Sequence, residues 1–266
     1  MNLKNIIFCV FILTGCSSSY QYRRAAAPET HTISNVVVVV DYVSITDDVG
    51  KLMNYDLDLN IEQMEALESI AIEQLENKGF APSSSRLRGS GLGMPGFLEF
   101  ELYENGEDQQ ALMNPPFLIE PRFLTQQQTH QFEYLFDQLE SKYSQLNVDK
   151  NTQPVLDSIR LRGLTEPLAL PENSAILFVR AFHPRVSAGK AIGVGLLGIA
   201  ISAAATDGSY IGIATSYDQA FSSAFLVHAD SGQLLWKNHK SGARLDHQAM
   251  QRLFSNFPAA EEFNDL

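Results

Sequence analysis

The run Ile33-Ser34-Asn35-Val36-Val37-Val38-Val39-Val40-Asp41-Tyr42-Val43-Ser44-Ile45 (ISNVVVVVDYVSI) decides the fold class. Five consecutive valines leave the segment no polar side. β-Branched side chains are stiff in a helix and pack well on a pleated ribbon, so the run reads as a strand. A strand apolar on both faces must be covered on both faces, which puts it in the middle of a sheet. Further on, Asn60-Ile61-Glu62-Gln63 has the form of an N-cap followed by an amide at the third helical position. Ile61, Met64, Leu67, Ala71 and Leu75 recur at helical spacing, and Gly79 after Lys78 supplies a stop. A buried strand followed by an amphipathic helix is a β-α unit. The expected class is α/β (α+β), a small mixed β-sheet flanked by helices.

The rest of the chain fits that frame. Residues 82–93 are a Ser/Gly/Arg stretch that reads as a loop, and Phe97 to Tyr103 alternates as a half-exposed strand. A second helix is expected from Thr125, capped with Gln128, with Phe132, Leu135, Phe136, Leu139, Tyr143 and Leu146 as its apolar stripe. Residues 147–173, carrying Pro154, Pro167 and Pro171, form a connection with at most one short helix near Val155 to Leu161. Ala175 to Phe182 is another strand. Phe221 to Ala229, the turn Asp230-Ser231-Gly232 and Gln233 to His239 make a C-terminal β-hairpin, and Asp246 to Phe254 is a closing helix. Residues 33–266 are therefore expected to form a single domain.

With 31 acidic and 19 basic residues, the 266-residue chain carries a formal charge of −12. That balance argues against nucleic acid, whose phosphates need clustered cations, and against polybasic adhesion to anionic lipid. The N-terminus offers a different attachment. Lys4 precedes the apolar run Ile6 to Leu13, which is too short to span a bilayer, and Leu13-Thr14-Gly15-Cys16 follows directly. The tetrapeptide resembles the bacterial lipobox. The resemblance implies a signal peptide over residues 1–15, diacylglycerol on the Cys16 thiol and an acylated amine there. Two or three acyl chains anchor stably where one does not. Cys9 would leave with the signal, so the mature chain keeps no free thiol, and loss of Lys4 takes the charge from −12 to −13. Residues 16–32 read as a lipidated flexible tether. Ser17 after the lipid site resembles the outer-membrane class of enterobacterial-type lipoproteins, which implies the periplasmic face of the outer membrane.

Motifs that could carry chemistry are few. Gly193, Gly195 and Gly198 spell G-x-G-x-x-G, with Asp218 twenty residues beyond Gly198. A dinucleotide site needs a strand ending at those glycines, whereas ten residues, including Pro184 and Lys190, lie between Phe182 and Gly193. No cofactor is expected. Gly189 and Gly193 stand in a G-x-x-x-G relation within the Gly/Ala-rich stretch 188–206, and small residues allow close backbone approach. Burial against the sheet is the first expectation for that stretch. Subunit contact, or insertion of 188–217 into a bilayer, is the alternative. Asp56-x-Asp58-x-Asn60 begins like a calcium loop, but Ile61 and Leu67 stand where Gly and Glu are required. His183, His228, His239 and His247 lack metal-ligand spacing and read as surface or turn residues. No metal is expected. Ser222 or Ser223 with a His and an Asp is the only route to an envelope hydrolase, and no nucleophile motif supports it, so no catalytic residue is assigned.

Ala224-Phe225-Leu226-Val227-His228-Ala229-Asp230-Ser231-Gly232-Gln233-Leu234-Leu235-Trp236 resembles a hairpin common in bacterial envelope lipoproteins. With the lipobox, the β-α unit ending Lys78-Gly79-Phe80 and the Ala175 strand, the chain resembles a group that includes the curli secretion-channel lipoprotein and the lipoprotein activators of penicillin-binding proteins. It departs at His228-Ala229, at Ser231 in place of Thr, and in the stretches 82–93 and 147–173. The resemblance implies an α/β sandwich acting as an assembly or partner-binding module rather than an enzyme, with other envelope proteins or further copies of itself as partners. A ring-forming secretion or channel subunit is the second expectation.

Overall fold

The computed structural model describes residues 19–23, 33, 35–47, 52–92, 94, 96–120, 125–132, 134, 170, 173–186, 220–230, 232, 234–242 and 246–264. The valine run is β2 (Asn35–Asp47), and it stands inside a mixed sheet. On one side β2 runs parallel to β8 (Ser174–Val186) over its whole length, from Asn35 opposite Ser174 to Asp47 opposite Val186. β8 pairs antiparallel with β9 (Ala220–His228), β9 with β10 (Leu234–Gly242), and β10 with β1 (Ser19–Arg23). On its other side β2 has two partners in succession. β4 (Ala81–Ser90) runs parallel beside residues 35–41, and β3 (Asn54–Asp56) lies antiparallel at Ile45 and Thr46. The sheet therefore forks. One branch continues to β7 (Leu118–Glu120), the other through β5 (Phe100–Glu104) to β6 (Glu107–Met113).

Alternation along β2 divides the core. Val36, Val38, Val40 and Tyr42 face a layer built from α1 (Leu57–Asn77) and the C-terminal helix α2 (His247–Leu253), with Trp236, Phe254 and Phe257. Val37 and Val39 face Leu87, Leu92, Phe132, Ile176, Phe178, Phe225 and Val227 on the opposite side. Val43 and Ile45 join Tyr55, Met94, Phe100 and Phe117 beyond the fork. All five valines are at most 1% exposed, and each such burial contributes roughly 1.5–3 kcal/mol. The α+β class is as read from the sequence, and the sheet is broader, with ten strands among the described residues.

Local signals explain most element ends. α1 closes with Gly79 at φ 80°, its N–H donating to the Glu76 carbonyl at 3.0 Å while the Phe80 N–H reaches the Leu75 carbonyl at 3.0 Å. That pair of bonds is a Schellman closure, and Phe80 and Leu75 meet in the core. Asp246 caps α2, accepting from the Ala249 N–H at 2.7 Å. At Thr125 the capping exchange with Gln128 forms as expected, the Thr125 N–H donating to Oε1 at 2.8 Å, and Phe132 is buried. A short helix α3 (Glu261–Asn264) ends the described chain.

Four expectations need correction. Residues 81–90 are strand β4 rather than loop, because the open edge of the valine strand must be paired whatever the composition beside it. Asn60 is not the N-cap. Asp56 is, accepting from the Leu59 N–H at 3.0 Å, so the helix begins a turn earlier. Phe97 is 69% exposed and lies outside β5, which starts at Phe100. Within the segment read as tether, Ser19–Arg23 pairs with β10. The stripe from Leu135 to Leu146, the short helix expected near Val155 to Leu161 and the stretch 188–217 lie outside the described residues.

Candidate functional site

Cys16, Gly189, Gly193, Gly195 and Gly198 all lie outside the described residues, so the site is built from what adjoins them. Ser19, three residues after Cys16, pairs with Lys240, and Tyr20, Gln21, Tyr22 and Arg23 pair with His239, Asn238, Lys237 and Trp236. The first described strand thus forms one rim of the sheet. β10 is held from behind by α2 and the segment after it: Asn238 Nδ2 donates to the Leu253 carbonyl, and Trp236 packs edge-on to Phe257, centroids 4.8 Å apart. Lys240, two residues beyond Asn238 in β10, and Arg252, next to Leu253 in α2, both stand at this rim. Burial lowers the Lys240 pKa first, and the Arg252 charge adds to it. Among the described residues neither has a carboxylate partner. On the other face of β10, Lys237 is only 5% exposed, and burial brings its pKa down to about 8. The opposite rim of the sheet differs. β6 is exposed at every position from Glu107 to Leu112, and it reaches β5 through the Asn105-Gly106 turn, both residues at positive φ.

The fork in the sheet is sealed by a polar seam that the sequence reading missed. Where β4 leaves β2, the Gly91 and Leu92 N–H groups donate to Asp41 Oδ1 at 2.7 and 2.9 Å, and Arg180 Nε lies 3.4 Å from Oδ2. Ser90 Oγ donates to the Tyr42 carbonyl at 2.6 Å. Before β3 takes over, Ser44 lacks a strand partner on that edge. The Asn60 amide replaces one, its Oδ1 accepting from the Ser44 N–H at 2.6 Å and its Nδ2 donating to the Ser44 carbonyl at 2.9 Å. Asp41 and Asn60 are both 0% exposed. The signals were present: a carboxylate ending a run of valines, and an asparagine four residues before Met64 on the buried stripe of α1. Tyr55, beside this seam, stacks on Phe117 at 3.9 Å. Its hydroxyl is buried with the Ser90 side chain beside it, and burial drives its pKa upward.

Register also brings Asp41, Arg180, Ser223 and His239 into one row across β2, β8, β9 and β10. A Ser-His-Asp arrangement needs the carboxylate to orient the imidazole. Here Arg180 stands between, and Asp41 is bound to the Gly91-Leu92 backbone. His228 is a correction: it lies in β9 at 2% exposure, not at the surface. His239 and His247 are exposed as expected. The described residues contain no group of three or more His, Cys, Asp or Glu placed to hold a metal, and none of their helices is long and apolar enough to cross a membrane.

No known protein family matches the chain, and no curated protein matches it. Among solved structures it is similar to a dodecamer of a PelC point variant from Paraburkholderia phytofirmans, at 10% identity and a TM-score of 0.30, covering 91% of this chain and 99% of that one. A superposition that loose transfers neither fold detail nor function.

Proposed function

We propose that this chain is an exported lipoprotein, acylated at Cys16 and held at the periplasmic face of the outer membrane, whose α+β domain is a non-enzymatic assembly or partner-binding module. The observation that carries the reading is Leu13-Thr14-Gly15-Cys16 directly after an eight-residue apolar run. The resemblance to envelope assembly lipoproteins supplies the partner class, namely other envelope proteins or further copies of the chain. The exposed β6 rim is a surface on which a partner strand can add through backbone hydrogen bonds.

The anchor is tested on protein extracted from bacterial membranes. Mass spectrometry is expected to find residue 16 as the first residue, carrying acyl chains. Cys16→Ser is expected to move the protein from the membrane fraction to the soluble fraction. An uncleaved start or an unmodified thiol overturns the reading. The module is tested by crosslinking in intact envelopes, where a domain that captures neither a partner nor a second copy refutes it.

A further inference from the structure

The distance from lipid to fold is short. Three residues from Cys16 to Ser19 span at most about 11 Å even fully extended, and Ser19 sits opposite Lys240 in an antiparallel pair, where paired Cα atoms are about 5 Å apart. Acyl chains on Cys16 therefore hold the β1–β10 rim against the bilayer instead of letting the domain swing on a long leash. In a protein with 31 acidic residues and 19 basic ones, Lys240 lies two residues beyond Asn238 on the same face of β10, and Arg252 adjoins Leu253, whose carbonyl accepts from Asn238, so the two cations share this rim and neither has a carboxylate partner among the described residues. Two like charges brought together by the fold call for an anion from outside, and the nearest external surface is the leaflet in which the anchor is embedded.

We propose that the β1–β10 rim is a membrane-docking surface, on which Lys240 and Arg252 meet the phosphates of anionic phospholipids in the leaflet that holds Cys16. The proposal rests on the acylation of Cys16 and goes beyond it: the lipid sets the distance and the two cations set the orientation. A consequence is that the β6 rim, at the far end of the sheet path from β1, points away from the bilayer and stays open to partners. The net acidity of the chain does not oppose this, because charges farther than about 8 Å are largely screened at physiological salt.

The test uses the full lipidated protein in vesicles. Lys240 is labelled with a membrane-impermeant amine reagent in vesicles of phosphatidylcholine alone and in vesicles containing phosphatidylglycerol, with Lys78 at the end of α1 as the internal control. A basic side chain near an anionic leaflet strengthens association about fivefold. Labelling of Lys240 relative to Lys78 is expected to fall by that factor or more with phosphatidylglycerol, and to recover in 1 M salt, where the screening length is about 3 Å. Arg252→Gln, an exposed position, is expected to remove about fivefold of the protection while leaving circular dichroism unchanged. Equal labelling in the two vesicles, or protection insensitive to salt, overturns the docking surface while acylated Cys16 leaves the anchor standing. A bare Cys16 in the same mass spectrum overturns both.

Discussion

Asp41 shows how one residue can seal a topological irregularity. Its carboxylate, 0% exposed, accepts two backbone N–H groups and faces Arg180, whose side chain is 13% exposed. Removing one member of such a buried network leaves the others without compensation. Asp41→Asn is expected to destabilise the domain by about 2–4 kcal/mol, read as a lower urea midpoint with an unchanged slope. Tyr55 is the opposite case. Its ring stacks on Phe117 and its hydroxyl is buried beside Ser90, whose own proton goes to the Tyr42 carbonyl, so Tyr55→Phe is expected to change stability by no more than about 1 kcal/mol in either direction. Lys237 has a pH signature. Its folded-state pKa, near 8, lies below the ordinary lysine value, so between those values the unfolded chain holds more protons and stability rises with pH. Urea titrations from about pH 7.5 to 9.5 are expected to show that rise, and Lys237→Met is expected to diminish it, leaving the share that the lowered Lys240 contributes. Tyr42, pushed by burial up to about 12, works the other way only above about pH 10, where the unfolded phenol ionises first and stability falls.

At the scale of elements, α1 is both a core layer and a set of tools for its neighbours. Its apolar stripe was legible because Met64, Leu67, Ala71 and Leu75 repeat at helical spacing. Its start was not, since Asp56, Asp58 and Asn60 are all competent caps by composition. The structure gives each a separate task. Asp56 caps the helix, Asp58 accepts from the Asn105 N–H at 2.6 Å and so pins the β5–β6 turn, and Asn60 substitutes for a missing strand beside Ser44. Asn60→Ala is expected to cost about 2–3 kcal/mol, because it orphans a buried N–H and a buried carbonyl together. At the other end, a Cβ on Gly79 would meet nothing nearer than Ala260 at 3.7 Å. The cost of Gly79→Ala therefore comes from the left-handed backbone alone, about 1–2 kcal/mol, and its thermal midpoint should drop less than that of Asn60→Ala. The strand β4 escaped sequence reading for a related reason. Its Ser, Gly and Arg are not the β-branched and aromatic residues that mark a strand, but the Asn35–Asp41 edge needs hydrogen bonds and Leu87 fills the face beneath it. Arg88 then lies among Glu65, Glu68 and Glu120, within 3.3 Å of each.

For the molecule as a whole, the two rims of the sheet are unlike. One begins three residues after Cys16 and carries cations. The other, β6, is exposed and bears Glu107 and Asp108. Because β1 is an integral strand, deleting residues 19–23 while keeping Cys16 is expected to speed amide exchange in β10 and to leave β2 and β8 protected. Unchanged exchange in β10 would show that the strand does not pair in solution.

Sequence alone determined the central placement of the valine strand, the amphipathic face of α1, the β9–β10 hairpin and the closing helix. Each of these is written in a local period or a short-range cap, and burial on one or both faces leaves its mark within a few residues. The tertiary structure decided which strand pairs beside Val36 to Asp41, what Asp41 and Asn60 are for, and that Ser19–Arg23 joins a sheet. Those depend on backbone groups left unpaired by segments far away in the chain, and a buried N–H or carbonyl is satisfied by whatever the fold brings within reach, whether or not its composition announces it.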